Sequence, residues 1–458
     1  MENRMRGILA GVLTVAMSTM SSVTLIQSAN AADEYPAALV AHALLPAKTF
    51  ISAPADAPDD LKVSGKYTTG KYVAKTGSIE GKSSGRPTGV QLPFQGQPVQ
   101  GHSGIKHMAD GTYWILTDNG FGSKANSSDA MLFIRQYRLN WDKGTFEPIK
   151  TIFFHDQDQF IPHRIINQDT KRRYLTGSDF DPESFQIIDG DIWVGEEFGP
   201  WLLRFDNTGK LKTMYDTKVE GNVIRSPDHP SLQLPSKPDD SLPIFNAKRS
   251  KGFEGMASAP NGRYLYPLLE GALYDQNSQK VEAIDGKHYL RILQFDTERD
   301  TYTDMSWKYI LDSNENAIGD FNMIDETYGL VIERDNLEGT SDKACSKISE
   351  DKTQCFDKPA VFKRIYKVRL DPKNQIAEKI AYIDLMAIKD PNVVSRTALV
   401  NNQFVFPFFT IENVDIVDDR HIVVGNDNNL PFSSSRNPNQ ADDNELALLE
   451  VTAFLQAK

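Results

Sequence analysis

GTYWILTDNG (111–120) is the stretch that decides the fold, because four other segments of the chain repeat its pattern. Each copy is a short apolar run, rich in β-branched and aromatic residues, that ends in acids, Asn and Gly. The other copies are GDIWVGEEFG (190–199), RYLYPLLEG (263–271), TYGLVIERDN (327–336) and RHIVVGNDNN (420–429). After a polar loop, a second apolar run follows each copy: AMLFIRQYRL (130–139), WLLRFDNTG (201–209), HYLRILQFDT (288–297), VFKRIYKVRL (361–370) and ELALLEVTAF (445–454). A repeated hairpin that cannot bury its own apolar face must stack on its neighbours.

This repeat predicts an all-β protein with the β-propeller fold, in which a closed ring of blades leaves no bare sheet edge. The acids that end the five copies are spaced 79, 73, 65 and 92 residues apart, at Asp118, Glu197, Glu270, Asp335 and Asp427. A four-stranded blade needs only about 40–45 residues. We therefore expect about six or seven blades of antiparallel strands, with 63–100 and 140–175 counted as degenerate ones. The last apolar run would complete a blade begun by N-terminal strands and so close the ring.

The N-terminus has the pattern of a secretory leader. Arg4 and Arg6 precede an apolar run from Ile8 to Met20, and Ala29-Asn30-Ala31 is an A-x-A cleavage site. Serines interrupt the apolar run before it reaches the roughly 20 residues that a membrane span needs. We expect a signal peptide over 1–31, cleavage near Ala31-Ala32, a flexible arm over 32–62 and a propeller domain over 63–458. The mature protein would be periplasmic or secreted, with no transmembrane segment.

The charge and the cysteines narrow the choice of partners. The formal net charge is −12, and no Lys/Arg-rich face offsets it, which argues against a nucleic-acid partner. We expect a monomer that binds a small anionic substrate or ligand. The two cysteines, Cys345 and Cys355, are predicted to form a disulfide that closes a loop, as is typical of exported proteins.

A second set of acids lies just upstream of each repeated strand. The phrases are GHSGI (101–105), DFDPESF (179–185), KGFEGMA (251–257), GDFNMID (319–325) and TIENVDI (410–416). If each phrase begins the innermost strand of a blade, four carboxylates converge on the central channel: Glu183, Glu254, Asp320 and Glu412. Such a set of oxygen ligands favours a hard cation, Ca²⁺ or Mg²⁺, and we predict these four as metal ligands. Ser103 takes their place in the first copy.

These features suggest a site for an anionic ester. Glu197, Glu270 and Asp427 are candidates for a general base. Lys251, Arg334 and Arg173 are candidates for holding the negative charge of the substrate. A cation beside them would activate a water molecule, and this water would hydrolyse a phosphoester without a covalent intermediate.

The same phrases resemble a known family. GSDFDPESFQIIDGDIWVGEEFGPWLLRFDNTGKL (177–211), SKGFEGMASAPNGRYLYPLLEG (250–271), GDFNMIDETYGLVIERDN (319–336) and TYWILTDNGFG (112–122) are similar to the motifs of the phytase-like domain, "esterase-like activity of phytase". The resemblance runs from about residue 63 to 455. It implies a secreted or periplasmic β-propeller that hydrolyses phosphoesters or other esters. The chain lacks the D-A-D-D-P-A motif of β-propeller phytases, and Asp179-Phe180-Asp181-Pro182-Glu183 is the nearest stretch to it.

Two alternatives to a phosphoester hydrolase stay open at this point. One is a non-catalytic propeller in which Ca²⁺ is structural and the channel mouth binds a small ligand or an envelope protein. A lactonase or other carboxyl-esterase is the third possibility, since propellers can combine a channel cation with Glu and Asn ligands, and Asn119, Asn322, Asn413 and Asn428 are available. No G-x-S-x-G elbow is present for a serine hydrolase.

Overall fold

The computed structural model describes residues 32–237, 243–346 and 351–458, and the predicted signal peptide lies outside these residues. The described chain forms five antiparallel sheets whose inner strands contact one another in a closed circle, which is a β-propeller. We number the blades 1 to 5 along the chain and the strands of each blade from the channel outward. The predicted fold class is thereby confirmed, whereas the predicted six or seven blades are wrong.

The four strands of each blade are, from first to fourth, as follows. Blade 1 has His102–His107, Tyr113–Thr117, Phe133–Asn140 and Thr145–Phe153. Blade 2 has Pro182–Ile188, Asp191–Glu196, Trp201–Phe205 and Leu211–Asp216. Blade 3 has Phe253–Ser258, Tyr264–Leu269, Lys287–Asp296 and Thr301–Ile310, with Ala283–Ile284 paired to its third strand. Blade 4 has Ala317–Met323, Tyr328–Arg334, Lys363–Leu370 and Ala377–Asp384.

Blade 5 closes the ring with strands from both ends of the chain. Its first three strands are Ile411–Ile416, His421–Asn426 and Asn444–Glu450, and its fourth is Ala38–Leu45, extended by Ile388–Lys389 and Gln403–Phe404. Asp33–Glu34 adds a parallel strand to the outer edge of blade 4. Residues 33–45 of the predicted flexible arm are therefore paired in two sheets, because the third strand of blade 5 would otherwise be a bare edge.

The remaining elements are short. Two-stranded pairs are Phe50–Ile51 with Gln97–Pro98, Val63–Ser64 with Phe94–Gln95, Ile79–Ser83 with Arg86–Leu92, Lys218–Val219 with Asn222–Val223, and Tyr274–Asp275 with Lys280–Val281. The 3₁₀ helices are Asp59–Lys62, Ser341–Lys343 and Lys352–Gln354, and one α-helix spans Thr452–Gln456. Among the described residues, no helix has the length and apolar character to cross a bilayer. The predicted disulfide between Cys345 and Cys355 is present.

The apolar second strands follow from the way the blades pack. One cluster of buried side chains fills each interface between neighbouring blades. Successive side chains of a strand point to opposite faces, so Tyr113 and Ile115 enter the interface with blade 5, and Trp114 and Leu116 enter the interface with blade 2. A strand covered on both faces must be apolar throughout, and this explains the repeated phrase.

The two ends of the ring differ in their loops. Connections between first and second strands, and the continuous ones between third and fourth strands, have two to six residues. Most connections at the other end are far longer, for example 154–181, 217–252, 335–362 and 385–410. Inner strands begin and second strands end here, and we call this end the acidic face. Its insertions lengthen the repeat, and they explain why intervals of 65 to 92 residues correspond to single blades.

Candidate functional site at the acidic face

Each inner strand carries a β-bulge close to its start. The pairing of first and second strands gains one extra residue between His102 and Ile105, Pro182 and Ser184, Phe253 and Gly255, Ile318 and Phe321, and Ile411 and Asn413. A bulge leaves one residue out of the ladder and turns its side chain in a new direction. The bulged segments contain Ser103, Glu183, Glu254, Asp320 and Glu412, the residues that the sequence placed in equivalent positions.

The second strands supply another carboxylate each at the same face. Every second strand ends one residue before an acid, and these acids are Asp118, Glu197, Glu270, Asp335 and Asp427. Because the first two strands of a blade are antiparallel, the end of the second lies beside the start of the first. The two sets of acids therefore meet at the mouth of the channel.

Two groups of three carboxylates have oxygen atoms close enough to share a cation. Asp181, Glu183 and Glu197 form one group, and Glu197, Glu254 and Glu270 form the other. Within each group the ligand atoms lie within 4.8 Å of one another. Glu197 belongs to both groups, so blades 2 and 3 together build a continuous patch of five carboxylates.

Glu412, Asp427 and Asp118 continue the patch toward blades 5 and 1. The negative charge of Glu412 acts on Glu254 and on Asp427, and the charge of Asp118 also acts on Asp427. Backbone N–H groups and hydroxyls hold these acids in place: the N–H of Asn429 donates to Asp427 (2.6 Å), and Ser103 Oγ donates to Glu412 Oε2 (2.8 Å). The eight acids form what we call the carboxylate cluster.

Burial and mutual repulsion make the cluster a strong proton acceptor. Burial, together with the charge of Asp181, raises the pKa of Asp118 to about 7. Burial raises the pKa of Asp181 to about 6. Burial first, and then neighbouring carboxylates, raise the pKa of four further acids well above their usual range: Glu183, Glu197, Glu254 and Asp427. An arrangement of this kind stays fully ionised only when cations lie among the carboxylates.

Two oxygen atoms of the cluster have no hydrogen-bond donor. They are Asp181 Oδ1 and Glu254 Oε1, in side chains that are only 3% and 5% exposed. Most buried polar side-chain atoms in folded proteins have a partner, and the exceptions mark strain, function or a bound ion or water. Two positively charged side chains reach the cluster: Lys251 pairs with Glu270, and Arg334 lies 3.3 Å from Glu412 and 3.9 Å from Glu254.

Glu197 is held by the turn that surrounds it. The preceding residue, Glu196, is fully buried and accepts hydrogen bonds from the backbone N–H groups of Phe198 (2.8 Å), Gly199 (2.7 Å) and Trp201 (2.8 Å). From blade 3, the N–H of Gly252 donates to Glu197 Oε1 at 2.8 Å. The shared member of the two groups is thus fixed from both blades.

Two of the sequence candidates, Asp320 and Arg173, lie outside the cluster, as does Asp335, which the sequence analysis named only as a strand-end acid. Asp320 is satisfied by the backbone N–H groups of Phe321 (2.8 Å) and Val414 (3.1 Å). Asp335, the strand-end acid of blade 4, pairs at 2.9 Å with the buried Lys363. Arg173 pairs at 2.9 Å with Asp156 and also donates to the carbonyl oxygen of Gln168, so its guanidinium is occupied elsewhere.

Two members of the cluster were not chosen from the sequence. Asp118 was recognised as a strand end but given no role. Asp181 belongs to the phrase DFDPESF, where it stands two residues before Glu183. The i, i+2 spacing of extended chain, which puts two side chains on one side, was the available signal.

Below the cluster, polar side chains join the inner strands across the channel. Gln186 donates to Asn322 Oδ1 (2.8 Å), and Ser258 donates to Gln186 Oε1 (3.0 Å). Lys106 donates to Asn322 Oδ1 (3.2 Å) and Asp415 Oδ1 (3.3 Å). The network connects all five inner strands and thereby fixes the blades that carry the cluster.

The fold and site define a five-bladed propeller with a carboxylate-lined channel mouth. The chain belongs to the Phytase-like family, described as esterase-like activity of phytase, whose sequence profile matches residues 97–430. An uncharacterized secreted protein of Arthroderma benhamiae is 27% identical over 115 residues, which are 24% of this chain. The match spans 22% of the length of that curated relative.

Solved structures with a related course of the chain include two bacterial proteins. The periplasmic gluconolactonase of Pseudomonas aeruginosa is 13% identical, with 85% of this chain and 98% of that chain covered and a TM-score of 0.29. The PQQ-bound aldose sugar dehydrogenase of Streptomyces coelicolor is 8% identical, with 77% and 95% covered and a TM-score of 0.31. Similarity at this level does not define the chemistry of the present protein, which depends on its own residues.

Proposed function

We propose that the protein is an exported, divalent-cation-dependent hydrolase of phosphoric esters. The observation that carries the proposal is the carboxylate cluster, in which eight buried or half-buried acids face only two basic side chains among the described residues and two buried oxygens lack a hydrogen-bond donor. So much uncompensated negative charge would repel an anionic ester. A cation is needed both to neutralise the acids and to attract such a substrate.

The donor set fits a hard cation. All the candidate ligands are carboxylate oxygens, which suit Ca²⁺ or Mg²⁺ better than zinc. Asp181, Glu183, Glu197, Glu254 and Glu270 would hold it, since their oxygens form the two close groups. Glu412 stands beside them but is partly neutralised by Arg334, and Asp320 is already satisfied by backbone donors. A divalent cation held there would supply positive charge for the ester and would lower the pKa of bound water.

The side chains around the cluster suit the remaining tasks of ester hydrolysis. Lys251 is 38% exposed at the mouth and can contact an anionic oxygen of a substrate without leaving Glu270. Arg334 lies deeper, beneath the half-exposed ring of Phe409, with its Nε unpartnered. Burial and the charge of Glu412 raise the pKa of Asp427, so it is a stronger base than an exposed carboxylate and is suited to accept a proton from water.

The predicted leader and the disulfide support export. Disulfides persist in oxidising compartments and are rare in the cytosol. A periplasmic or extracellular location also supplies calcium to a weak carboxylate site, since extracellular modules bind it with dissociation constants of about 10⁻⁴–10⁻³ M.

The proposal is tested with the mature chain and a panel of phosphomonoesters, assayed in excess calcium, in excess magnesium and in chelator. We expect turnover only with a cation, and its loss in Glu197→Gln because both groups lose a ligand. Glu326→Gln, at an exposed position in a turn at the opposite end of the ring, is the matched control. If no phosphoester is hydrolysed under any condition, the proposal fails.

The same panel of substrates can distinguish a phosphoester hydrolase from a carboxyl-esterase and from a non-catalytic binding propeller. Lactones and carboxyl esters are included, and hydrolysis of these without phosphoesters would identify a carboxyl-esterase. A cation that raises the melting temperature while no ester reacts would identify a binding propeller with a structural ion.

A further inference from the structure

We propose that the carboxylate cluster binds two divalent cations, one in each group of three acids, with the Glu197 carboxylate as their common ligand. The first position is bounded by Asp181, Glu183 and Glu197 of blade 2. The second is bounded by Glu197, Glu254 and Glu270, which reach across from blade 2 to blade 3. The inference deepens the proposed function by fixing the number and place of its cations, and it rests on the same cluster.

The unpartnered oxygens are divided between the two groups. Asp181 Oδ1 belongs to the first group, and Glu254 Oε1 belongs to the second. Each side chain is at least nine-tenths buried, so solvent does not satisfy these atoms. A single cation beside one group would leave the oxygen of the other group buried without a hydrogen-bond donor, which is costly for a charged acceptor.

The balance of charge around the two groups also indicates two divalent cations. Six acids, the five of the two groups together with Glu412, are accompanied among the described residues by two basic side chains: Lys251 pairs with Glu270, and Arg334 lies 3.3 Å from Glu412 and 3.9 Å from Glu254. When ionised, these groups carry four net negative charges, which two divalent cations balance. Four negative charges held together with one divalent cation would still repel one another strongly.

Blade 4 supplies positive charge for the acids beside it. Arg334 of blade 4 lies against Glu412 of blade 5, and Lys363 neutralises Asp335. Blade 4 thus contributes basic side chains where blades 2 and 3 contribute acids. This asymmetry confines the two cation positions to blades 2 and 3 and gives no reason for a third in that part of the ring.

The shared ligand has a chemical consequence. Two metal ions bridged by one ligand clamp both the attacking and the leaving oxygen of a phosphoryl displacement, a use known from phosphatases and nucleases. Carboxyl-ester hydrolysis does not require this second ion. Two cations at the mouth therefore favour a phosphoric ester over a lactone as the substrate.

The test counts calcium ions by isothermal titration and equilibrium dialysis on the mature chain at neutral pH. We expect two per chain for the wild type. Glu183→Gln and Glu270→Gln should each retain one, and Glu197→Gln should weaken both by at least tenfold. Glu326→Gln is the matched control that should keep two. Melting curves in chelator confirm that each variant folds.

Every outcome is decisive. A count of one, lost alike in Glu183→Gln and Glu270→Gln, overturns the two-cation inference but leaves the proposed hydrolase standing. A count of two with no phosphoester turnover supports the inference and overturns the hydrolase. A count of zero removes both.

Discussion

Replacing Asp335 with Asn should destabilise the protein without changing calcium binding at the carboxylate cluster. The Asp335 carboxylate pairs at 2.9 Å with Lys363, whose side chain is fully buried, and it also accepts from the N–H groups of Val361 and Phe362, both at 2.8 Å. Removing one partner of a buried ion pair costs about 3–5 kcal/mol, because the other charge is left uncompensated. Both oxygens of Asp335 accept from donors. Whichever way the Asn amide is oriented, its NH₂ group replaces one of these acceptors and faces a donor. For a chain of this length, the unfolding entropy is roughly 0.9 kcal/mol/K, so Tm should fall by about 3–6 °C.

The assay is thermal unfolding, followed by circular dichroism at pH 6 and pH 9, with and without calcium. Burial lowers the pKa of Lys363 to about 7, so at pH 9 this lysine is largely neutral in both proteins and the difference should shrink. Asp342→Asn, at an exposed position in the same connection, is the control. A Tm within 1 °C of wild type at pH 6, or a loss of calcium binding in the variant, would refute our division of the strand-end acids into structural and cation-binding ones.

Two further predictions concern the cluster. Acids whose pKa is raised on folding stabilise the protein at low pH and lose that effect as pH rises through the folded value. For Asp118 this value is about 7. In chelator we therefore expect a fall in Tm that is attributable to these acids as pH rises from about 4 toward 8, partly offset near pH 6.5, where histidines titrate in the unfolded chain. Calcium should stabilise the protein more at pH 8 than at pH 6.5; an equal gain at both pH values would contradict this. Gly252→Ala should weaken calcium binding about tenfold, equivalent to ~1.4 kcal/mol, because its Cβ would lie 2.4 Å from Glu197 Cα and 2.8 Å from Glu196 O. Unchanged calcium affinity in a folded Gly252→Ala protein would show that the close packing does not position Glu197.

The sequence predicts the features that local pattern determines. The second strands and the acids that end them, such as Asp118 and Glu270, can be read directly because each is a short apolar run followed by an acid. The number of blades cannot be read in this way. Insertions at the acidic face, such as 217–252 and 335–362, add length between repeats without adding a strand to any blade in their described parts.

The surroundings of each acid depend on contacts between distant residues. Asp320 and Asp335 share the register of Glu254 and Glu270, yet they differ in their partners. Asp335 meets Lys363, which is 28 residues further on, and Asp320 meets a backbone N–H from the next blade. Nothing in the local sequence shows which carboxylate will find a donor. For the same reason the sequence could not show that Arg173, a candidate for binding the substrate, pairs with Asp156 instead.

The bulges explain how one repeated hairpin builds an asymmetric site. A regular inner strand would direct alternate side chains into the channel along its whole length. A bulge near each strand start instead singles out one residue per blade, and the chemistry of that residue can change without disturbing the ladder on either side. Blade 1 places Ser103 in its bulge, blades 2 and 3 place Glu183 and Glu254, and Ser103 donates to the Glu412 of blade 5.

The polar network below the bulges makes this freedom compatible with a fixed geometry. Gln186, Asn322 and Lys106 bind the inner strands to one another just beneath the cluster. Repulsion among ionised acids would otherwise push neighbouring blades apart at the mouth. Because the strands are joined there, a chelator should mainly change the protonation of the acids and leave the ring closed. Retention of the same secondary structure by circular dichroism in chelator is therefore the expected result, and a loss of β-structure would mean that the cations, and not the network, hold the blades together.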